Sequence, residues 1–101
     1  MSDLTVRCSG DHDVRIEVPE RFDFACHRAF RDAYVDRGDR RTTFRVSLWR
    51  TAYMDSSALG MLLLLRDHAG GDSASIKIVN CSPDVKKILT ISNFEQLFSI
   101  Q

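Results

Sequence analysis

Polar side chains stand between the apolar ones in every segment of this chain that reads as a strand. Val14, Ile16 and Val18 alternate with Arg15 and Glu17. Phe44, Val46 and Leu48 alternate with Arg45 and Ser47, and Lys77 separates Ile76 from Ile78. Leu4, Val6 and Cys8 follow the same rule. A period of two turns one side of each strand to a core and the other to water. Between these segments lie stretches of helical period, and strands joined through helices pair in parallel. A parallel strand covered on both faces would read as continuously apolar, which these do not. The pattern therefore predicts an α/β fold: a mixed sheet of four to five strands, with helices packed on one face and the other face largely wet. At 101 residues the chain is expected to form a single domain, 1–101.

Turn chemistry places the elements. Ser9-Gly10-Asp11 reads as a hairpin turn between the first two strands, and Pro19 stops the second. Asp23 reads as the N-cap of a helix on which Phe22, Cys26, Ala29, Phe30, Ala33 and Tyr34 share a face, with Gly38-Asp39 ending it. A second helix runs from Ser56 or Ser57 to His68 and stops at Gly70-Gly71-Asp72. Ser82 and Pro83 are a cap and first-turn pair for a third helix with Val85, Ile88 and Leu89 inward. Asn93 to Leu97 reads as one more helical turn before a frayed end.

Charge and composition exclude several functions. Lys plus Arg and Asp plus Glu each number 14, so the formal net charge is zero. Such a balance lacks the footprint of a nucleic-acid binder and gives no general attraction to anionic membranes. The first residues carry no secretory signal, and the apolar run from Ala58 to Leu65 is too short to span a bilayer, so a cytoplasmic protein without membrane insertion is expected. The Asn80-Cys81-Ser82 sequon carries no weight in that setting. Cys8, Cys26 and Cys81 read as buried free thiols, and His12, His27 and His68 show no metal-ligand spacing. No metal and no cofactor are expected. No nucleophile elbow, glycine-rich phosphate loop or nucleophile–base pair is visible, so the chain reads as a protein that is not an enzyme. Trp49 and Tyr53 read as packing residues at a strand end, Tyr53 within reach of a partner, and Arg37, Arg40 and Arg41 read as a solvated loop.

The second helix departs from this ordinary pattern. Ala58, Leu59 and Met61 to Leu65 place apolar groups all round its first turns. Either it is wedged between its neighbours, or part of it is an exposed Met/Leu patch that docks a partner. Directly before it stands Asp55-Ser56-Ser57, where a hydroxyl can cap the helix or accept a phosphate.

The run Met54-Asp55-Ser56-Ser57-Ala58-Leu59-Gly60-Met61-Leu62 resembles the signature of bacterial anti-sigma factor antagonists of the STAS domain family. Phe22-Asp23, the segment from Asn80 to Leu89, and Ser92-Asn93-Phe94 extend the resemblance over nearly the whole chain. It implies a STAS-like fold and a phosphorylation-controlled partner switch. The phosphoacceptor would be Ser56, with Ser57 as the alternative. Asp23, Asp55, Ser57, Ala58, Leu59, Met61 and Leu62 would contribute to the partner surface. The unphosphorylated protein would bind an anti-sigma factor, or a serine kinase with a histidine-kinase-like ATP-binding fold, and release a sigma factor. A metal-dependent serine phosphatase would reset it. The alternative implied by the family is an accessory subunit that binds the ATPase of a membrane transport complex. Two positions depart from the family pattern. Ala58 stands for a Gly, adding a methyl beside the phosphoacceptor, and Glu20 stands where a Gly commonly precedes the Phe-Asp pair.

Overall fold

A computed structural model describes residues 4–8, 12–35 and 42–101. The expected turn at Ser9-Gly10-Asp11, the helix stop at Gly38-Asp39 and the Arg37, Arg40 and Arg41 loop lie outside the described residues.

Each alternating segment forms a strand of one sheet. The strands β1 (Thr5–Cys8) and β2 (Asp13–Glu17) pair antiparallel, and β4 (Thr43–Ser47) and β6 (Ser75–Val79) continue the sheet in parallel. A last strand, β7 (Ser99–Ile100), pairs in parallel with β6 to give the order β1-β2-β4-β6-β7. The expected frayed end is thus corrected. A single 3₁₀ turn over Phe94–Gln96 returns the chain to the sheet edge, and Gln101 N–H bonds the Ile78 carbonyl at 2.8 Å. Phe94 and Phe98 are buried and hold that turn down.

Three helices, α1 (His27–Tyr34), α2 (Ser56–Ala69) and α3 (Pro83–Ile91), cover one face. The inward residues of the strands, Val14, Ile16, Phe44, Val46, Ile76 and Ile78, join Phe30, Leu62, Leu65 and Leu89 in one buried cluster. Asp13, Arg15, Glu17, Thr43, Arg45 and Lys77, on the alternate positions, retain solvent contact. Gly70 ends α2 at a φ of 120°, a conformation that L side chains rarely adopt, and its N–H bonds the Arg66 and Asp67 carbonyls.

The α2 helix is not wedged on all sides. Ala58, Met61, Leu62, Leu65 and Ala69 form one buried stripe, while Leu63 and Leu64 are 40% and 50% exposed. The free thiols also divide: Cys26 is buried, Cys81 is half-buried, and Cys8, at the end of the edge strand, is exposed. The expectation of three buried thiols is corrected at Cys8, because an edge strand has a neighbour on one side only.

Candidate functional site

Two very short strands, without a pattern of their own in the sequence, organise the site. The strand β3 (Arg21–Phe22) pairs in parallel with β5 (Tyr53–Met54), with Phe22 beside Met54. Asp23 and Asp55 are the next residues of each chain segment, so the ribbon carries both carboxylates to the same edge. That edge is also where the parallel strands β2, β4 and β6 end, the usual position of sites in such sheets. Phe22 and Met54 anchor the ribbon from below, both buried. From β4 the chain reaches it through Thr51, whose hydroxyl donates to the Pro19 carbonyl at 3.0 Å. The Ala52 and Tyr53 amides donate to the Glu20 carbonyl.

Each aspartate caps the helical segment on its C-terminal side. Asp23 Oδ1 accepts from the Ala25 amide at 3.0 Å and holds a 3₁₀ turn, Phe24–Cys26, that runs into α1. Its other oxygen lies 3.4 Å from Arg21 Nε. The Arg21 guanidinium in turn stands 4.5 Å above the Tyr53 ring. Asp55 Oδ1 accepts from the Ala58 amide at 3.1 Å and is the N-cap of α2. Because the aspartate performs the capping, Ser56 and Ser57 are not needed for it. Ser56 is exposed in the first turn, and Ser57 is half-buried beside it. The first amides of a helix, with the positive end of its dipole, suit an added phosphate.

The family follows from this arrangement and from comparison. Residues 6–99 match the sequence model described as Mlab, STAS domain. The chain belongs to the STAS domain family. A STAS-domain containing protein of Pseudomonas aeruginosa (strain UCBPP-PA14) is 57% identical over 98 residues, covering 96% of this chain and 97% of the relative. Among solved structures, the unphosphorylated form of the anti-sigma factor antagonist SpoIIAA superposes with a TM-score of 0.73 at 17% identity, over 97% of this chain and 86% of that one. The phosphorylated form of SpoIIAA, the Bacillus cell fate determinant, gives 0.68 at 17% identity, over 97% of this chain and 90% of that one. These likenesses establish the STAS fold with its mixed five-stranded sheet.

Within this STAS domain the residues singled out in the sequence divide by depth. Asp23, Asp55, Ser56, Ser57 and Leu59 reach the surface at least in part. Ala58, Met61 and Leu62 are 0%, 3% and 0% exposed. They hold the helix start against the core and present no contact surface of their own in the free chain. The Ala58 methyl therefore points into packing and not toward solvent. Part of the Met/Leu run is exposed, as one of the two sequence readings has it, but the outward residues are Leu63 and Leu64, with Leu59 half-buried, and not Met61 or Leu62.

Other residues at this edge lie beyond the reach of the sequence pattern. Trp49 and Tyr53, expected as packing residues, are 62% and 43% exposed, each ring with an arginine over it, and Phe24 is exposed and stacks on His27 at 5.3 Å between ring centroids. Large exposed aromatics beside a capped turn are suited to partner contact. Gly60, within the same signature run, is exposed one turn along the helix. It lies inside α2, where glycine costs about 1 kcal/mol relative to alanine. A Cβ there would meet nothing within 4 Å. The folded chain thus gives no steric reason for the glycine. Its signal in the sequence is a helix breaker one turn beyond the serines.

Proposed function

We propose that this STAS domain is an anti-sigma factor antagonist whose partner binding is switched by phosphorylation of Ser56. The observation that carries the reading is the division of labour at the start of α2. Asp55 satisfies the Ala58 amide, and Ser56 is left exposed with no part in the cap. A phosphate there adds a charge of about −1.5 to −2 next to the Asp55 carboxylate. It would oppose docking of a partner against this edge by repulsion and desolvation, without unfolding the domain. Ser57, being less accessible, is the second choice.

In this reading the unphosphorylated protein contacts the partner through Asp23, Asp55, Ser57 and Leu59, with Phe24, Trp49 and Tyr53 as a surrounding aromatic rim. Ala58, Met61 and Leu62 act from beneath. The partner is an anti-sigma factor or a serine kinase with a histidine-kinase-like ATP-binding fold, and a metal-dependent phosphatase removes the phosphate. The protein is a substrate of these cytoplasmic enzymes, not an enzyme itself. Gly60 fits the same scheme, because a residue without a side chain lets a partner backbone approach the helix closely.

The test is mass spectrometry of the protein isolated from its native cells, with peptide mapping, joined to affinity capture by Ser56→Ala and Ser56→Asp. A single phosphate on Ser56, retained capture by Ser56→Ala and lost capture by Ser56→Asp are expected. A phosphate on Ser57 would move the site by one residue. No phosphate in any growth phase, together with capture of a transport ATPase, would replace the switch with the transport-accessory role.

A further inference from the structure

The face of the sheet turned away from the helices carries its positive charges in a line. Strand register sets Arg7 beside Arg15, Arg15 beside Arg45, and Arg45 beside Lys77. Four cations thus stand opposite one another across four adjacent strands. Like charges placed directly across a strand pair destabilise it. Counter-ions reach the two middle residues from flanking rungs, Glu17 at 3.5 Å from Arg15 and Asp13 against Arg45. Arg7 and Lys77, at the two ends, form no ion pair among the described residues. Arg7, Asp13, Arg15 and Arg45 line a shallow basin of about 380 Å³. The neighbouring rung is small and polar, with the Thr43 and Ser75 hydroxyls 3.2 Å apart. Nothing in the folding of the sheet requires four cations in register, and the net charge of six groups, four positive and two negative, leaves this patch positive.

We propose that the row is a docking surface for an acidic helix of a partner protein. Adjacent strands are about 4.8 Å apart. Residues three or four apart along a helix are separated by about 4.5–6 Å along its axis. A stripe of Glu or Asp at that spacing meets Arg7, Arg15, Arg45 and Lys77 in turn when the helix lies across the strands. The basin gives the carboxylates room between the guanidinium groups, which bind them bidentately. A compact anion would span part of the row and leave an end cation unused. The surface lies on the opposite side of the sheet from α2, so its occupancy does not depend on the Ser56 switch.

The experiment measures binding of the full chain to a labelled alanine-rich helical peptide with one stripe of glutamates at every third or fourth position. A second peptide has the same composition with the glutamates scattered round the wheel. The striped peptide is expected to bind at low ionic strength and to weaken as salt rises. The scattered peptide and the Arg7→Gln/Lys77→Gln variant should each weaken binding about tenfold or more. Lys86→Gln/Lys87→Gln, which removes two exposed cations on α3, should leave it unchanged. Circular dichroism checks that each variant is folded. An Arg7→Glu/Lys77→Glu variant, which sets a repelling carboxylate at each end of the row, should weaken binding of the striped peptide further than the Gln variant does. Equal binding of both glutamate peptides, equal loss in the α3 variant, no binding at low salt, or citrate binding as tightly as the striped peptide would each overturn the proposal.

Discussion

The two long helices that follow sheet strands begin with serine in different employment. At α3 the serine is the cap: Ser82 Oγ accepts from the Val85 amide at 3.2 Å and is half-buried. At α2 the cap is Asp55, and the next residue, Ser56, is exposed. A hydroxyl that caps cannot be modified without replacing the hydrogen bond that starts its helix. A hydroxyl placed one residue beyond a capping carboxylate can be. The difference teaches that a modifiable serine is recognised less by its presence at a helix start than by what relieves it of structural duty.

Substitution at the caps is the strongest way to break this comparison. Asp55→Ala should lower the stability of the domain by about 1–2 kcal/mol and Ser82→Ala by about 1 kcal/mol. Ser56→Ala should change it by less than about 0.5 kcal/mol. Urea denaturation of the three variants measures all of them on one scale. A loss at Ser56→Ala equal to that at Ser82→Ala would mean that Ser56 has a structural role after all.

Gly60 sharpens the contrast from the other side. Gly60→Ala should raise the stability of the free domain by about 0.5–1 kcal/mol, since the added methyl meets open space. The same variant should capture less of the partner held by the wild type. Greater stability with undiminished capture would remove Gly60 from the contact surface.

The smallest expected effect concerns Cys81, the residue before the Ser82 cap. Burial raises its thiol above the ordinary range, and nearby Lys86 opposes that shift in part. At mildly alkaline pH, alkylation should therefore proceed at exposed Cys8 first, then Cys81, and at Cys26 only as the domain opens. Below the ordinary thiol range both folded and unfolded forms hold the proton, and the contribution of Cys81 to stability is intact. As pH rises through that range the unfolded form ionises first, so stability declines until the folded thiol ionises too. Thiol mapping and urea denaturation across a pH series read the two effects.

Much of the fold was legible because its signals are local. The alternation at Val14–Val18, Phe44–Leu48 and Ile76–Ile78 encodes a face, and Gly70 and Ser82-Pro83 encode a stop and a start whatever surrounds them. The strands Arg21–Phe22 and Tyr53–Met54 were not legible, because two residues have no period and their pairing partner lies far away in the sequence. The same reason hid Ser99–Ile100. In the site, Asp55-Ser56-Ser57 could be read directly, whereas the exposure of Trp49 and Tyr53 could not, since an aromatic residue in a string of letters looks the same inside or out.

The sequence by itself determined the period of every long element, the capping residues and the serine-bearing turn, for these depend on residues within one helical turn or one strand. Tertiary structure decided which groups face solvent. It turned Met61 and Leu62 inward and Leu63 and Leu64 outward, although all four are equally apolar. It brought Asp23 beside Asp55 through a ribbon whose halves are 32 residues apart, and it set Arg7, Arg15, Arg45 and Lys77 in one line. Those placements rest on strand register and helix docking, which are properties of pairs of segments and are written in no single one of them.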